Sequence, residues 1–449
     1  MKNMELLNSG GGDLLKRIMH EKKNLIAQRL IPDKKDAHKY PINNFPFHLP
    51  KDWCWCYLSD VSFIQEGPGI RKHQYKDSGI QFLTVTNILE DEVDLEKSKK
   101  YISNDEYEKT YKHFTLNRGD IVTACSGGSW GKSAIYDLDN QIILNTSTLR
   151  LRFYGDLSIA KYLYYYTKTS FFKKSLSSYT TGLQPNYGYY HYSRIMFPLC
   201  SLSEQERIVG ILDSAFAKIE AMRANAEQNL QNAKDLFQAS IDKAYAVPTE
   251  SKPISSVAKV VNGYAFSSDD FKPTNTIKSI KITNVGVGEF IEESENYLPT
   301  KYADDLKDVQ VSNGDIVIAL TRTIISAGLK VAIVPNSYNG ALVNQRVAAL
   351  VPFDSVMSRK YLYNFLLTTK VKNYVLDHVN TLMQPNLSIT DLKNMDVPYL
   401  PYAEQEIAAN NIDALSERCR AMEENYRQIL AACNDLKQAL LKKAFNGEL

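Results

Sequence analysis

The chain has 449 residues, of which 44% are hydrophobic and 23% charged, and its 53 Lys and Arg against 51 Asp and Glu give a formal net charge of +2. This composition excludes a wholly disordered chain, and the lack of any apolar run of roughly 20 residues excludes a protein that spans a membrane. The six Cys residues have no framework spacing and no secretory signal precedes them, so we expect free thiols and a cytoplasmic location.

The predicted elements alternate between mixed globular regions and long helices. Residues 1–44 predict a helical extension, and residues 45–202 a globular region of short strands such as IVTA at 121–124. Residues 203–247 predict a central helix. Residues 248–400 predict a second globular region, and residues 401–449 a C-terminal helix. The predicted fold class is therefore mixed α/β (α+β).

An internal duplication is the most informative feature of the sequence. Segments of the first half recur in the same order in the second half: FLTVTNI at 82–88 as SIKITNV at 279–285, NRGDIV at 117–122 as SNGDIV at 312–317, KYLYYYTKT at 161–169 as KYLYNFLLTT at 360–369, LQPN at 183–186 as MQPN at 383–386, and SEQERIVGILDSAFAKIEAM at 203–222 as AEQEIAANNIDALSERCRAM at 403–422. Because the offset between the copies drifts by only a few residues, we predict two related domains.

Each half closes on a long amphipathic helix. The first helix is predicted to begin at Ser203, with a capping box completed by Glu206, and to end near Pro248. The second is predicted to follow Pro401 and to stop at Asn446-Gly447. Apolar residues at alternating spacings of three and four predict a coiled-coil seam of Ile208, Leu212, Ile219, Met222, Ile412, Leu415, Met422, Tyr426 and Leu436.

Two interpretations of these helices are open. Helices of matching length, roughly 65 Å at ~1.5 Å per residue, can pair antiparallel and form a rigid spacer between the two domains. Alternatively, each helix packs on its own domain. The matching seams favour the spacer.

The sequence carries no complete catalytic or metal-binding motif. SGGSWGKS at 126–133 lacks the first Gly of a phosphate-binding loop and lies between two strand-like segments, so it predicts a hairpin loop. No Pro-Pro dipeptide occurs, which excludes the site of adenine methyltransferases, and no Gly-x-Gly-x-x-Gly fingerprint occurs. Cys54-Trp55-Cys56 has no second Cys pair, and the seven His residues are scattered. We therefore predict no metal site and no enzymatic activity.

The ordered motifs resemble the specificity subunit of type I restriction–modification systems. FLTVTNI, GDIV, QPN, EQERI at 204–208 and the closing LLKKAFNGEL at 440–449 follow that family's order. LPKDW at 49–53 resembles its domain start, and LLKRIMHEKKNLIAQRLI at 14–31 its N-terminal helix. The second half departs from the pattern, because it lacks the LPxxW start and its GDIV loop reads ALTRTIISAGLK at 319–330.

The resemblance implies two target-recognition domains separated by an antiparallel coiled coil, each reading one half of a split, asymmetric site in double-stranded DNA. It also implies that methyltransferase subunits dock on the helices and that a translocating restriction subunit joins them. S-adenosylmethionine, ATP and Mg²⁺ would then belong to those partners, and this chain would bind no cofactor. Rigidly linked readers favour half-sites about one helical turn (~34–36 Å) apart.

Candidates for DNA contacts are residues in loops where the two halves differ, because domains that read different half-sites must differ where they touch bases. Arg and Lys suit guanine or phosphate, Gln suits adenine, and Tyr can bind phosphate. In the first half the candidates are Arg71, Lys72, Gln74, Ser126, Ser129, Lys132, Tyr187, Tyr189, Tyr190, His191 and Arg194. In the second half they are Tyr264, Lys272, Arg322, Thr323, Gln345 and Arg346.

Residues that both halves share are predicted to hold the fold instead. These are Gln184, Asn186, Gln384, Asn386, Asp120 and Asp315. The aromatic cluster at 162–166 lies in a helix-like context and predicts core packing.

Two other functions are open from the sequence alone. One is a self-sufficient methyltransferase or nuclease, which the missing motifs disfavour. The other is a tandem module that binds protein or glycan and never touches DNA.

Overall fold

The structure, a computed structural model, describes residues 10–34, 47–155, 159–179, 185–246, 250–293, 297–325, 328–378 and 386–449. The chain divides into two units. Unit 1 comprises residues 1–224 and 430–449, and unit 2 comprises residues 225–429. Each unit therefore combines one globular region with a part of each long helix.

Unit 1 is a mixed α/β unit. Its strands are β1 Cys54–Tyr57, β2 Ser62–Glu66, β3 Ile80–Phe82, β4 Tyr101–Ile102, β5 Ile121–Ala124, β6 Ser133–Ile135, β7 Ile142–Ile143, β8 Thr148–Phe153 and β9 Met196–Leu199. Its shorter helices are α1 Gly11–Ala27, α2 Leu58–Val61, α3 Asn104–Glu106, α4 Ala160–Thr167, α5 Ser170–Ser177 and α6 Tyr189–Tyr192. The sheets have the strand orders β2-β8-β5-β6, β4-β3-β7 and β1-β9.

Unit 2 repeats this architecture. Its strands are β10 Glu250–Pro253, β11 Ala258–Asn262, β12 Ile277–Ile280, β13 Tyr297–Leu298, β14 Ile316–Ala319, β15 Ile324–Ile325, β16 Gly328–Leu329, β17 Val331–Ile333, β18 Leu342–Val343, β19 Val347–Pro352 and β20 Asp396–Tyr399. Its shorter helices are α7 Ile254–Val257, α8 Lys301–Asp305, α9 Arg359–Leu366, α10 Thr369–His378 and α11 Ile389–Asn394. The orders β11-β19-β14-β17, β13-β12-β18 and β10-β20 match those of unit 1, and the hairpin β15-β16 is additional. The predicted duplication and fold class are confirmed.

A buried amide explains why the motif FLTVTNI recurs as SIKITNV. The Asn87 side chain, fully buried, accepts the Thr84 N–H at 2.9 Å and donates to the Asp94 carbonyl at 2.9 Å. Asn284 does the same in unit 2, where it accepts the Lys281 N–H at 2.8 Å. Each amide satisfies backbone groups of a turn that would otherwise be buried without partners.

The two long helices are the central helix, Leu202–Ala244, and the C-terminal helix, Tyr402–Asn446. The predicted cap at Ser203 is wrong, because it is the Ser201 side chain that accepts the Glu204 N–H, at 3.3 Å, and the helix begins at the intervening Leu202. The predicted C-terminal stop is confirmed, since Gly447 adopts a positive φ of 71° and its N–H donates to the Ala444 carbonyl.

Both units show antiparallel pairing of the helices. In unit 1, Arg207 near the start of the central helix donates to the carbonyl of Leu449 at 2.9 Å, and Glu220 further along pairs with Lys437. In unit 2, Ile241 near the end of the central helix shares a core with Ile412 near the start of the C-terminal helix. The predicted antiparallel arrangement therefore holds within each unit.

The seam between the helices is narrower than predicted. Of the predicted seam residues, Ile208, Leu212, Ile219 and Ile412 are buried, and Leu415 and Tyr426 are half-buried. The prediction is wrong for three others, because Met222, Met422 and Leu436 are 50%, 39% and 46% exposed. Ile208, Leu212 and Ile412 belong to the cores that the long helices share with the globular regions, whereas Met222, Met422 and Leu436 lie outside those cores.

The aromatic cluster of α4 lies in the core of unit 1, as predicted. Tyr162 and Tyr166 are fully buried, and both rings pack edge-on against Phe197, at 5.7 and 5.1 Å. The Tyr162 hydroxyl donates to the Pro198 carbonyl at 3.0 Å. All six Cys residues are free thiols, as predicted.

Candidate nucleic-acid interface

In unit 1, two candidate segments that are distant in sequence lie side by side. Ser126 forms an isolated β-bridge with Asn186, and the Tyr187 N–H donates to the Cys125 carbonyl at 2.9 Å. The Gly-rich loop joins the antiparallel strands β5 and β6, so the hairpin prediction is confirmed. We call the assembled set the unit 1 surface, defined as Ser126, Ser129, Lys132, Tyr189, Tyr190, His191 and Arg194.

An arginine–tyrosine pair is the most exposed part of the unit 1 surface. The Arg194 guanidinium stacks over the Tyr190 ring at 3.7 Å, and Tyr190 is 55% exposed. Beside it, the Lys34 Nζ lies 4.0 Å from the Tyr189 ring. Burial lowers the pKa of Lys34, while the carboxylate of Glu66 opposes that shift. Both cations are thus held by rings in fixed positions rather than free in solvent.

Sequence reasoning missed Lys34 as a member of this surface. It lies in the N-terminal segment, far from the candidate loops in sequence, and it donates to the Ile64 carbonyl at 3.4 Å. No sequence signal connects it to Tyr189, because the contact depends on how that segment crosses the globular region.

Two unit 1 candidates are held by contacts within the unit. Tyr187 is buried, and its ring packs edge-on against Trp130 at 5.2 Å. The Gln74 side chain donates to Glu106 at 3.1 Å and to the Tyr111 hydroxyl at 3.0 Å, so it holds the local fold.

Three further unit 1 candidates sit differently. Arg71 and Lys72 are exposed on the same loop as Gln74, within reach of a ligand. His191 is half-buried, and its Nδ1 accepts the Gly188 N–H at 3.0 Å, which caps the short helix α6.

The loop that carries Arg71 follows a glycine, directly after β2, that packs against the Asn145 backbone. A Cβ on Gly67 would lie 2.1 Å from the Asn145 carbonyl oxygen, so only glycine fits. Unit 2 has the same close approach of the backbone to a glycine after β11, where a Cβ on Gly263 would lie 2.0 Å from the Asn344 carbonyl oxygen. Sequence reasoning missed both glycines, although each follows a strand at matching positions of the repeat.

In unit 2, three segments converge in the corresponding way. The Gln345 N–H donates to the Tyr264 carbonyl at 2.9 Å, and the Leu320 N–H donates to the Arg346 carbonyl at 2.9 Å. Arg322 is exposed two residues further, at a positive φ of 50°. We call this set the unit 2 surface, defined as Tyr264, Arg322, Gln345 and Arg346, all of which are exposed.

Of the other two unit 2 candidates, one is buried and the other is exposed. Thr323 is fully buried, so a contact with DNA is excluded, and within the described residues its hydroxyl has no hydrogen-bond partner. Lys272 is exposed and follows Phe271, which belongs to a row of rings: Phe271 lies 6.4 Å from Phe266, and Phe266 lies 5.1 Å from Tyr264.

Lys281 also belongs near the unit 2 surface and was missed. Its Nζ lies 3.6 Å from the Phe271 ring, and burial lowers its pKa. Lys281 stands where the first half has Thr84, so the divergence between the halves would have identified it.

Of the shared residues, Gln184 and Gln384 lie outside the described residues. Asn186 and Asn386 both form isolated β-bridges through their backbones, with Ser126 and Thr321 respectively, while their side chains are exposed. Their backbones therefore join the two loops of each surface.

The described residues contain no group of three or more His, Cys, Asp or Glu side chains arranged to hold a metal ion. None of the helices in this part of the chain has the length and apolar character needed to cross a bilayer.

Comparison with known protein families matches the chain twice to the type I restriction modification DNA specificity domain, over residues 50–231 and 247–431. The chain is 24% identical to the type I restriction enzyme EcoAI specificity subunit of Escherichia coli, over 97% of this chain and 89% of that protein. It is 23% identical to the MjaVIII specificity subunit of Methanocaldococcus jannaschii, over 88% of this chain and 93% of that protein.

Solved structures share the fold. A chain from a study of "complex assembly and conformational transition of the type I R-M system" matches 90% of this chain and 100% of its own length, with a TM-score of 0.73 and 18% identity. The HsdS subunit of Thermoanaerobacter tengcongensis matches 90% of this chain and 99% of its own length, with a TM-score of 0.56 and 18% identity.

Proposed function

Because the chain belongs to the family of type I restriction–modification DNA specificity subunits, we propose that the unit 1 and unit 2 surfaces each read one half of a split, asymmetric DNA site. The observation that carries this proposal is the assembly of exposed and half-buried basic, polar and aromatic side chains at matching places on two copies of one fold. The two sets differ in sequence, as readers of different half-sites must. A tandem protein- or glycan-binding module is not favoured, because the family is one of DNA specificity.

Within the unit 1 surface, Arg194 is the candidate for guanine recognition. Stacking on Tyr190 at 3.7 Å restricts the guanidinium, so less side-chain entropy is lost when it forms a paired contact with a base edge. Lys132 and Lys34 suit phosphates, because a single ammonium group gives charge without directional readout.

Within the unit 2 surface, Gln345 and Arg346 are adjacent and exposed, and they offer an amide for adenine and a guanidinium for guanine or phosphate. Arg322 sits at the tip of its loop in a left-handed conformation. Lys330 lies near Arg322, and burial together with that neighbouring charge lowers the pKa of Lys330. Two cations held close together fit a polyanion such as the DNA backbone.

The chain is proposed to act as a scaffold without catalysis of its own. S-adenosylmethionine, ATP and Mg²⁺ are assigned to partner subunits, as the resemblance implies. We further propose that the long helices fix the separation of the two half-sites, and that the restriction subunit joins the complex through the methyltransferase subunits.

Apolar side chains exposed on the long helices support docking of methyltransferase subunits there. Met222 and Leu436 are exposed in unit 1. Unit 2 exposes Leu236 and Met422 at the repeated positions. Because the repeat relates these four positions, a partner that binds both units would meet the same apolar side chains in each.

The test is DNA selection by the chain assembled with its methyltransferase subunit. From a library of random duplexes, we expect enrichment of one bipartite, asymmetric sequence, and an unenriched pool would refute the proposal. Affinity measured against salt concentration should fall steeply, by about 0.9 in log–log slope for each phosphate contact. Lys132→Gln should reduce that slope by about one, while Arg427→Gln, an exposed position on the C-terminal helix, should leave it unchanged.

The proposed lack of catalysis has its own test. The purified chain incubated with labelled S-adenosylmethionine and DNA should transfer no methyl group, and the assembled complex should. Transfer by the chain alone would contradict the proposal.

A further inference from the structure

Unit 2 contains a cavity of about 790 Å³ where its globular region meets the long helices. Its walls include Phe237 of the central helix, Tyr363 and Asn364 of α9, and Ser416 and Arg420 of the C-terminal helix. This volume is within the range of small-molecule and side-chain binding sites, which is roughly 300–1,000 Å³.

The matching corner of unit 1 is filled by the chain's own aromatic rings. Tyr165 of α4 packs edge-on against Phe216 of the central helix, with ring centroids 5.3 Å apart. The Tyr165 hydroxyl donates to Asp213, which also pairs with Lys161 at 2.7 Å. Lys437 of the C-terminal helix lies over the Phe216 ring at 5.6 Å and closes the corner.

The repeat shows which side chains make the difference. KYLYYYTKT aligned with KYLYNFLLTT places Asn364 where unit 1 has Tyr165, and the aligned helices place Ser416 where unit 1 has Phe216. The rest of the polar frame is kept, because Asp413 pairs with Lys360 at 2.8 Å as Asp213 pairs with Lys161. Unit 2 therefore lacks the rings of Tyr165 and Phe216, has Phe237 where unit 1 has Lys437, and retains the carboxylate that receives a phenol hydroxyl in unit 1.

We infer that the unit 2 cavity receives an aromatic side chain, a tyrosine by preference, from the methyltransferase subunit that docks on the helices. The ring would pack between Phe237 and Tyr363, and its hydroxyl would donate to the Asp413 Oδ1, which here accepts only a 3.3 Å contact from Asn364. In unit 1 the matching carboxylate, Asp213, accepts the hydroxyl of Tyr165, so this arrangement of side chains can bind a tyrosine. The inference rests on the docking surface of the proposed function.

The position of the cavity favours a partner subunit as the source of the ring. Three wall residues, Ile333, Glu417 and Arg420, are exposed. The cavity therefore opens to solvent beside the C-terminal helix. A partner that packs along this helix in unit 2 would cover the opening. Because Tyr165 and Phe216 fill the matching corner of unit 1, two copies of one methyltransferase subunit would bind the two units with unequal affinity.

The experiment fills the cavity with the residues of unit 1. The double variant Asn364→Tyr/Ser416→Phe is titrated with the purified methyltransferase subunit, alongside the wild type and the matched control Ser416→Ala, which leaves the cavity open. We expect the wild type and Ser416→Ala to bind a first copy at least tenfold more tightly than a second. The filled variant should lose that difference by weakening the first binding step at least tenfold, while melting at a higher temperature.

Unchanged binding by a folded, filled variant would overturn the inference and leave the cavity a packing defect. A wild type that binds no methyltransferase subunit would refute the proposed function itself, so the two failures are distinguishable. If the double variant does not fold, Ser416→Cys gives the second readout: its maleimide labelling, measured against the wild-type background, should slow at least tenfold when the methyltransferase subunit binds. Undiminished labelling in the complex would overturn the inference.

Discussion

The two GDIV turns of the repeat share a backbone and differ in electrostatics. Asp120 accepts the Asn117 N–H at 2.8 Å, and Asp315 accepts the Ser312 N–H at 2.8 Å, so each carboxylate closes the same turn. Asp120 also receives Arg152, with 2.6 Å between the Nη2 and Oδ2 atoms. Among the described residues, the Oδ1 of Asp315 has no hydrogen-bond partner. Burial accordingly raises the pKa of Asp315.

The difference comes from the neighbouring strand, which carries no shared motif. In unit 1, strand β8 carries Arg150 and Arg152 and pairs with β5, the strand that follows Asp120. In unit 2, the corresponding strand β19 has Ala349 and Val351 at these positions. In unit 2 the guanidinium of Arg359 lies 3.8 Å from the carboxylate. The repeated motif thus keeps the same turn in both units. The charges around the aspartate differ, because the neighbouring strands carry different residues.

The largest effect that tests this comparison is expected at Asp120. Asp120→Asn leaves Arg150 and Arg152 without their counterion, and the Arg150 side chain is buried, so unit 1 should lose about 3–5 kcal/mol of unfolding free energy. Hydrogen exchange of peptides from β5 and β8 measures the loss. Asp315→Asn is the matched control in unit 2, and equal losses from both variants would contradict the comparison.

A second, smaller effect is expected at the glycines that hold the reading loops. Gly67→Ala and Gly263→Ala each force a Cβ against a backbone carbonyl, which should cost about 1–3 kcal/mol and displace the loop of that unit alone. DNA selection should then lose one half-site in each variant. Gly210→Ala, where a Cβ meets nothing within 4 Å, should leave both half-sites intact. Loss of both half-sites in either loop variant would argue against independent surfaces.

The smallest effect is expected from Asp315→Asn. The asparagine oxygen can still accept the Ser312 N–H, and the cost of burying a charge disappears, so unit 2 should gain about 1 kcal/mol at neutral pH. Urea unfolding followed by unit 2 hydrogen exchange measures the gain. A loss of stability would show that the interaction with Arg359 outweighs the cost of burial.

The pH dependence of the same residue has a defined sign. Because the folded pKa of Asp315 is raised, the folded state holds its proton more tightly than the unfolded state does. The stability this residue contributes is fully present below the unfolded pKa of about 3.9 and is lost as the pH rises through the higher folded pKa. Subtracting the Asp315→Asn profile from the wild-type profile should isolate that decline, and a flat difference would contradict it.

Most of the predictions that the sequence allowed about the fold came from the internal duplication. Motifs in the same order on both halves imply the same strand order twice, and the apolar spacing of the long helices implies their pairing. The repeated motifs and the apolar spacing depend only on nearby residues or on a regular period, so a single sequence is enough to recognise them. The buried amides of Asn87 and Asn284 explain why FLTVTNI recurs as SIKITNV.

The candidate surfaces were less predictable, because loop residues face solvent or core according to contacts made far along the chain. Tyr187 and Thr323 lie in loops where the two halves differ, as their exposed neighbours do, but both side chains are buried. Lys34 joins the unit 1 surface through a contact with Tyr189 that no spacing encodes. Met222 likewise is exposed because it lies outside the core that the central helix shares with the globular region of unit 1, which a heptad pattern does not reveal.

The central claim is that each unit reads its own half of the DNA site. The most direct measurement is DNA selection by assembled complexes that carry Arg194→Ala in unit 1 or Arg346→Ala in unit 2. Each variant should relax base preference in one half-site, by about 1–3 kcal/mol at the affected position, and the two variants should affect opposite halves. Relaxation of the same half by both variants, or of neither half by either, would contradict the account.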